Sequence, residues 1–367
     1  MKRLIFLLLP FLLCGCSRDM NRREIDEVNF IHALGIDYAD GEYTISAIFN
    51  SGGGADPEGS GEAGSEEISN GTGKTPYAAY EDLRLKNKKA ITLTQAGFFL
   101  IGDTAAKEGI DLCLDFLSRN ETIKLESLIY VTKGEKAEDF INAAIENKQA
   151  VSEDLEAIKQ KQQEIITRND NNLVNILNEM KQNYSSVLIP YLTAEESGFL
   201  IEGYAIFDQL KLYDYLDKET SSGINFMKNI VRSYPIHLEN GTGLSISYTD
   251  TDLKTKLEND KIIIKIKVNF ESMIKEVNME GDTFTYEVLS KLTKEQNQYV
   301  ENIIRKAADY SVTTGLDILQ LARIIENQNV SQWRDLKETW EDNISKIEFE
   351  YELNSRIVKS FILGKER

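Results

Sequence analysis

The stretch IHALGIDYADGEYTISAIF, residues 31–49, decides how the fold begins. Two apolar segments, Ile31–Ile36 and Tyr43–Phe49, flank an Asp40-Gly41 pair, and Asp-Gly between two such segments is typical of a β-hairpin. His32 lies in the first predicted strand, where a lone histidine is typical of a structural role. The folded part of the chain is therefore expected to begin with an antiparallel hairpin.

Helical and strand patterns alternate after this hairpin. Apolar spacing predicts, in order, a helix at 76–87, a strand at 97–101, a helix at 105–117, a strand at 125–131, a helix at 136–145 and two helices within 147–183 separated by a polar kink at 168–172. Cys113 lies on the apolar stripe of its helix, which predicts a buried thiol without reactivity. This alternation indicates an N-terminal α/β domain over residues 27–185.

Shorter elements follow in residues 186–240. Strands are predicted at 187–192, 199–207 and 230–238, and a helix at 211–216. Pro235 indicates that the last of these strands lies at a sheet edge, because proline cannot donate a ladder hydrogen bond. We interpret this stretch as a small middle domain.

Residues 241–367 change pattern again. Apolar and polar residues alternate from Ile262 to Phe270, which predicts a half-buried strand after a turn near Asn259-Asp260. A capping-box pattern, Thr293-Lys294-Glu295-Gln296, predicts the start of a long helix with a bend at Gly315. A short helix carrying Trp333 and Trp340 and a final strand from residue 347 complete an α+β domain. The predicted fold class is therefore a three-domain protein of mixed α/β and α+β character, with mixed sheets and a long C-terminal helix.

The first nineteen residues, MKRLIFLLLPFLLCGCSRD, form a separate signal. Lys2 and Arg3 precede an apolar run that is about half the ~20 residues needed to span a bilayer. A basic flank, a short apolar core and a small-residue exit are typical of a secretory signal peptide, here residues 1–15. The following residues, 16–26, are polar and are expected to act as a tether.

Three interpretations compete for Cys14 and Cys16. A disulfide is disfavoured because the two cysteines are too close in sequence, and a metal site because only His32 and His237 are available as imidazole ligands. The favoured interpretation is a lipobox, Leu13-Cys14-Gly15-Cys16. In it the thiol of Cys16 carries diacylglycerol and cleavage falls between Gly15 and Cys16, so that Cys14 leaves with the signal peptide.

Composition excludes some partners. The 367 residues carry a formal charge of −18, with 42 Lys and Arg against 60 Asp and Glu. Loss of Lys2 and Arg3 with the signal peptide would give 40 − 60 = −20. A chain this acidic is repelled by the phosphate backbone of nucleic acids, which are therefore not expected as partners.

Motifs for chemistry are weak. Residues 51–75 are rich in Gly, Ser and Glu and are expected to form a mobile loop. The end of this stretch, GTGKT at 71–75, imitates a phosphate-binding loop, but Ile68 stands where that motif requires glycine, and Thr75-Pro76 is typical of a helix start.

Acidic pairs such as Glu66-Glu67 and Glu195-Glu196 are interpreted as solvated surface. Trp333 and Trp340 could line a sugar site, but their helical spacing favours a role in the core. We therefore predict no catalytic residue, metal site or cofactor.

The order of several short motifs resembles the Ger(x)C family, the lipoprotein C subunits of spore nutrient germinant receptors. The similar segments are Asp19–Ile25 after the lipid cysteine, Leu34–Tyr38 and Gly41–Tyr43 in the hairpin, Gly71–Thr75 before a helix, Phe99–Gly102, Lys107–Ile110, Phe116–Asn120, Gly315–Leu319 and Trp340. The resemblance implies a non-enzymatic protein on the outer face of the spore inner membrane. It also implies assembly with a polytopic A subunit and a transporter-like B subunit.

Two other function classes remain open. A solute-binding lipoprotein of a transporter would also be exported and lipidated, and it should show two similar α/β lobes around a ligand cleft. A lipoprotein enzyme acting on the cell wall would need a metal or acid site, which the sequence does not display.

Overall fold

The computed structural model describes residues 27–50, 66–147, 149–168, 170–181, 184–195, 198–258, 261–277 and 285–358. Gly15, Cys16 and the whole predicted signal peptide and tether lie outside these residues. So do residues 51–65 of the predicted mobile loop and the turn at Asn259-Asp260.

A nine-stranded mixed sheet organises the first part of the chain. Its strands are β1 Val28–Ala39, β2 Glu42–Asn50, β3 Glu66–Gly73, β4 Ala90–Thr92, β5 Phe98–Gly102, β6 Leu128–Thr132, β7 Val187–Glu195, β8 Gly198–Asp208 and β9 Lys211–Tyr215. The strand order is β3-β2-β1-β5-β6-β7-β8-β9, with β4 beside β1. The pairs β1–β4, β1–β5, β5–β6 and β6–β7 are parallel, while β1–β2, β2–β3, β7–β8 and β8–β9 are antiparallel.

Helices cover both faces of this sheet. They are α1 Pro76–Lys86, α2 Asp103–Glu108, α3 Asp111–Arg119, α4 Ala137–Glu146, α5 Val151–Ile165 and α6 Leu173–Met180. One apolar cluster joins α1, α2, α3 and α6 to one face of the sheet. A second cluster joins α4 and α5 to the opposite face. The three layers explain why β5 and β6 are buried along their whole length.

A four-stranded sheet and a long helix organise the rest. The elements are α7 Lys218–Met227, β10 Tyr234–His237, β11 Gly243–Glu258, β12 Lys261–Glu276, α8 Tyr286–Thr314, α9 Leu321–Gln328, α10 Val330–Leu336, α11 Trp340–Ile344 and β13 Ile347–Val358. The strand order is β10-β11-β12-β13. The alternate apolar residues of β12 pack against α8 in a separate core, which also contains both tryptophans. The mixed α/β and α+β fold with a long C-terminal helix is thus confirmed.

Several predicted elements are confirmed within a few residues. The hairpin of β1 and β2 turns at Asp40-Gly41, both with positive φ. Thr75 caps α1, with Pro76 in its first turn. The polar kink at 168–172 separates α5 from α6, and β10, which contains Pro235, lies at a sheet edge.

Four predicted elements are wrong. Residues 211–215 of the helix predicted at 211–216 form β9, because they pair with β8. Residues 66–73, predicted as part of a loop, form β3. The 105–117 helix is broken into α2 and α3 by Gly109, whose φ is 139°. The long helix begins at Tyr286 with Thr285 as its cap, so that Thr293 lies within it, and Gly315 ends the helix instead of bending it.

The stretch predicted as a middle domain does not form a sheet of its own in the structure. Its strands β7, β8 and β9 continue the first sheet, because Tyr191 and Leu192 pair in parallel with Val131 and Thr132 of β6. Helix α7 and strand β10 instead pack with the second core. The hydrogen bonding therefore divides residues 186–240 between the two sheets, with β7–β9 in the first and β10 in the second.

Candidate functional site

Cys113 and the two histidines occupy unremarkable positions. Cys113 is fully buried, as its helical spacing predicts, and burial raises the pKa of its thiol to about 12. His32 is half-buried in β1 and His237 is exposed in β10. Among the described residues, no group of three or more His, Cys, Asp or Glu side chains is arranged to hold a metal ion. The same residues contain no helix that is long and apolar enough to cross a membrane.

The two tryptophans are packed together in the second core. Trp333 and Trp340 are both buried, with ring centroids 5.4 Å apart. Tyr184 packs edge-on against Trp333 at 5.3 Å. These contacts agree with the predicted core role and leave neither ring free to stack on a sugar.

The segment that imitates a phosphate loop instead packs a helix on a strand. A Cβ on Gly71 would lie 2.2 Å from the carbonyl oxygen of Ala79, and one on Gly73 would lie 2.5 Å from the Ala79 backbone nitrogen. The Oγ1 of Thr75 accepts a hydrogen bond from the Ala78 backbone N–H at 3.1 Å. Both glycines are therefore needed for the close approach of α1 to β3, which leaves no cradle for phosphate.

Asp37 is a buried carboxylate at the end of β1. Its two oxygens accept hydrogen bonds from the backbone N–H groups of Ala137 and Glu138, at 2.7 and 2.9 Å, and so cap the first turn of α4. Burial raises the pKa of Asp37 to about 6, although these two hydrogen bonds lower it in part. Gly102 leaves the necessary space, because a Cβ there would lie 1.8 Å from the carboxylate.

Asp317 is the corresponding buried carboxylate in the second part of the chain. It accepts hydrogen bonds from the backbone N–H groups of Leu321 and Ala322, at 2.7 and 2.9 Å, at the start of α9. The hydroxyl of Ser185 donates to the same carboxylate at 3.1 Å, and the Ser186 N–H donates to the Asp317 carbonyl at 3.2 Å. Burial raises the pKa of Asp317 to about 6, with the backbone donors acting in the opposite direction. Asp317 therefore joins α9 to the chain that enters β7.

A second tie lies beside Asp317. Glu179 of α6 forms an ion pair with Lys228 at 3.4 Å, and both side chains are only about one-seventh exposed. Gln320 donates to the same Glu179 carboxylate at 2.6 Å. We call the set Glu179, Ser185, Lys228, Asp317 and Gln320 the junction. It connects the end of the first three-layer unit to the second core through one buried carboxylate, that of Asp317, and four half-buried side chains.

Open cavities of opposite charge lie on the two sides of the junction. A cavity of about 590 Å³ has Asp208, Asp317, Glu341 and Asp342 in its lining and no basic residue. A cavity of about 700 Å³ between α6 and α9 has four basic residues in its lining against two acidic ones; the basic residues are Arg168, Lys181, Lys228 and Arg323. Polar, open surfaces of this kind are suited to contacts with other macromolecules more than to enclosing a small apolar ligand.

Sequence reasoning did not find the two buried aspartates, although a signal was present. Each follows a glycine and an apolar residue, as Gly35-Ile36-Asp37 and Gly315-Leu316-Asp317. A carboxylate at the end of an apolar run is costly to bury unless it is hydrogen-bonded, so the repeated pattern points to a cap.

Comparisons with known proteins agree along nearly the whole chain. A family model described as the spore germination protein N-terminal domain matches residues 21–194. A second, described as spore germination B3/GerAC-like, C-terminal, matches residues 202–360.

Three curated proteins of Bacillus subtilis (strain 168) are similar to this chain. The putative spore germination protein YfkR is 26% identical over 334 residues, which cover 85% of this chain and 82% of that protein. Spore germination protein KC is 23% identical and covers 92% of this chain and 89% of its own length. Spore germination protein B3 is 22% identical, with coverages of 99% and 98%.

A solved structure shares the fold. The crystal structure of the GerBC protein superposes with a TM-score of 0.57 at 16% identity, covering 89% of this chain and 96% of that chain. The two consecutive family matches show that the chain belongs to the Ger(x)C family of spore germination proteins.

Proposed function

We propose that this chain is the lipid-anchored C subunit of a spore nutrient germinant receptor and is needed for nutrient-triggered germination. The observation that carries the proposal is the presence of both family matches, in order and over residues 21–360 of one chain. The three curated relatives, each named as a spore germination protein, support it. In this role the chain acts by assembly and performs no catalysis.

Membrane attachment is assigned to the thioether-linked diacylglycerol on Cys16, which holds the folded part at the outer face of the spore inner membrane. Burial of acyl chains is worth about 0.8 kcal/mol per CH₂, so two long chains supply a gross on the order of 20 kcal/mol. Repulsion between an acidic protein and anionic lipids is screened over roughly 8–10 Å at physiological salt and is far smaller. The anchor therefore dominates the balance.

Confinement to the membrane surface favours assembly with membrane-embedded A and B subunits. A lipid restricts the chain to the membrane surface and so raises its effective concentration beside such partners. The junction supports a scaffolding role, because partly buried hydrogen bonds at Asp317 and Glu179 join the first part of the chain to the second. A fixed arrangement of the two sheets would allow surfaces on both of them to contact the same partner subunits.

A solute-binding lipoprotein is the alternative, and the architecture argues against it. Such a protein needs two similar lobes around a cleft, whereas the described residues form one sheet of nine strands and one of four. The cavities at the junction are open and polar, unlike a ligand cleft that closes around its solute.

Replacement of the lipid cysteine tests the anchor. Cys16→Ala is expected to abolish incorporation of an alkyne-labelled fatty acid and to release the protein from spore membranes. Cys14→Ala is the matched control, because it removes a thiol two residues away and is expected to leave labelling intact. Mass spectrometry of the native N-terminus showing an unmodified Cys16 would overturn the anchor.

A deletion strain tests the receptor role separately. In a background without redundant receptors, the deletion is expected to remove the response of spores to nutrients while leaving solute uptake and wall turnover in growing cells unchanged. Normal germination on every nutrient tried would contradict the proposal, and a selective loss of uptake would favour the solute-binding alternative.

A further inference from the structure

Strand β13 forms an open edge of the second sheet. Within the described part of the chain it pairs only with β12, in parallel, through twelve consecutive residue pairs without a bulge. An edge strand of this length presents a row of backbone N–H and C=O groups to another strand. Proteins commonly prevent unwanted pairing at such edges with proline residues or bulges, and β13 has neither.

The inner row of β13 is incompletely covered. Phe349, Tyr351, Leu353 and Ile357 pack against the second core but remain only half-buried. The guanidinium of Arg305 on α8 lies over the Tyr351 ring at 4.3 Å and covers one side of it. An added strand would complete the burial of this apolar row.

The outer row of β13 is acidic at alternate positions. Glu348 pairs with Lys261 at 2.7 Å, and Glu352 pairs with both Lys265 and Lys267, at 2.7 and 3.0 Å. These lysines approach from β12, on one side only. Glu350 is exposed between the two paired glutamates and has no ion pair with any described residue. Because Glu348 and Glu352 are already paired from β12, the unpaired negative charge that the row offers to an incoming strand is centred on Glu350.

The charges of β13 favour one kind of strand over another as its binding partner. Three glutamates at alternate positions oppose pairing with a second copy of β13 in registers that place them opposite one another, because like charges across a ladder are destabilising. Arg356, the cation in the same row, is already paired with Glu271. The three glutamates favour a strand that carries cations at alternate positions. Asn297 of α8 donates to the carbonyl of Leu353 at 3.3 Å, so one backbone acceptor of β13 is held by a side chain of α8.

We propose that the β13 edge binds an extended segment of a partner protein in which cationic side chains alternate with apolar ones. The backbone of that segment extends the sheet, its apolar residues cover Phe349 and Tyr351, and its cations face Glu348, Glu350 and Glu352. Strand addition of this kind takes affinity from main-chain hydrogen bonds and specificity from alternate side chains. The inference rests on the proposed function, since it assigns a surface to the assembly of the receptor.

Synthetic peptides test the edge directly. A peptide of about ten residues in which Lys alternates with Val is compared with one of the same composition whose lysines form a block. Binding to the purified full-length chain is followed by fluorescence anisotropy, and backbone protection by hydrogen exchange. We expect the alternating peptide to bind about fivefold or more tightly than the block peptide, and to slow exchange in residues 347–358.

Two charge-reversal variants distinguish a local effect at the β13 edge from a general effect of the net charge on peptide binding. Glu350→Lys is expected to weaken binding of the alternating peptide about tenfold, whereas Glu121→Lys makes the same charge change in the first part of the chain and should weaken it by less than about twofold. Equal binding of the two peptides, protection outside 347–358, or equal effects of the two reversals would overturn the proposal. Concentration-dependent protection of 347–358 without peptide would assign the edge to a second copy and overturn it as well. The peptide experiments measure binding and not germination. A failure of the strand-addition proposal is therefore distinguishable from a failure of the receptor role, which the deletion strain tests.

Discussion

Gly35-Ile36-Asp37 and Gly315-Leu316-Asp317 place the same residue types in two regions and use them differently. Each aspartate is buried and accepts two backbone N–H groups at the start of a helix. Asp37 caps a helix a hundred residues further along the chain. Asp317 caps the helix that begins four residues later and also binds Ser185, 132 residues earlier.

The difference between the two sites shows where long-range order comes from. Around Asp37, the order depends on space, because Gly102 must lack a side chain for the carboxylate to reach α4. Around Asp317, the cap is local, and Gly315 serves through its φ of 71°, which ends α8. One site is therefore sensitive to volume and the other to backbone conformation and to the tie with Ser185.

The largest expected effect is at the volume-sensitive site. In Gly102→Ala, the new methyl group would displace the Asp37 carboxylate and leave the N–H groups of Ala137 and Glu138 buried without acceptors. We expect a loss of about 3–5 kcal/mol in the free energy of unfolding, measured by urea denaturation. Gly97→Ala is the control, because a Cβ there meets nothing within 4 Å. Equal stabilities of the two variants would show that the carboxylate can cap α4 from another position.

The next effect concerns the ionisation of both aspartates. Burial raises the pKa of Asp37 and of Asp317 to about 6, from 3.8. Between these values the native state keeps a proton that the unfolded chain releases, so stability falls as the pH rises from about 4 to about 6. Each pKa unit corresponds to about 1.4 kcal/mol, so the loss is about 2–3 kcal/mol per site.

Asparagine variants isolate this loss. In Asp37→Asn and Asp317→Asn the titrating group is absent, so the difference between wild type and variant should shrink from pH 4 to pH 7. Lys136 and Glu138 also act on Asp37, with opposite signs. A difference that stays flat with pH at one site only would show that this site keeps its carboxylate ionised, and would separate the two regions further.

Most elements could be predicted from local pattern, and the two strands that were missed share one cause. The alternation in Ile262–Phe270 and the Thr75-Pro76 helix start are properties of adjacent residues, and both are confirmed. Residues 211–215 and 66–73 become strands because β8 and β2 pair with them. Their own composition carries little of that information, since tertiary pairing outweighs weak local propensity.

The candidate site divides in the same way. The burial of Cys113 and of the two tryptophans could be predicted from apolar spacing. The single short helix predicted to carry Trp333 and Trp340 is wrong, because the two residues lie in successive helices, α10 and α11. The junction could not be predicted, because the Glu179–Lys228 pair and the Ser185–Asp317 bond join residues 49 and 132 positions apart. The Gly-Leu-Asp pattern points to Asp317 as a cap, but in a chain with 60 acidic residues no local feature marks Ser185 as its partner or pairs Glu179 with Lys228.

The smallest effect tests the tie that distinguishes Asp317 from Asp37. Ser185→Ala removes one hydroxyl donor, while the Ser186 N–H still reaches the Asp317 carbonyl, so we expect a loss of only about 1 kcal/mol. Ser118→Ala is the control, because that exposed hydroxyl bonds the carbonyl of Asp115 within its own helix. A double-mutant cycle with Asp317→Asn should return most of the 1 kcal/mol as coupling, whereas a cycle with Asp37→Asn should return none.

Because the lost donor favoured the ionised carboxylate, Ser185→Ala should also raise the pKa of Asp317 further and shift the pH-dependent loss of stability to higher pH. Coupling of Ser185 to Asp37 instead would mean that the two regions behave as one unit, and that the contrast between a space-dependent and a tie-dependent cap does not hold.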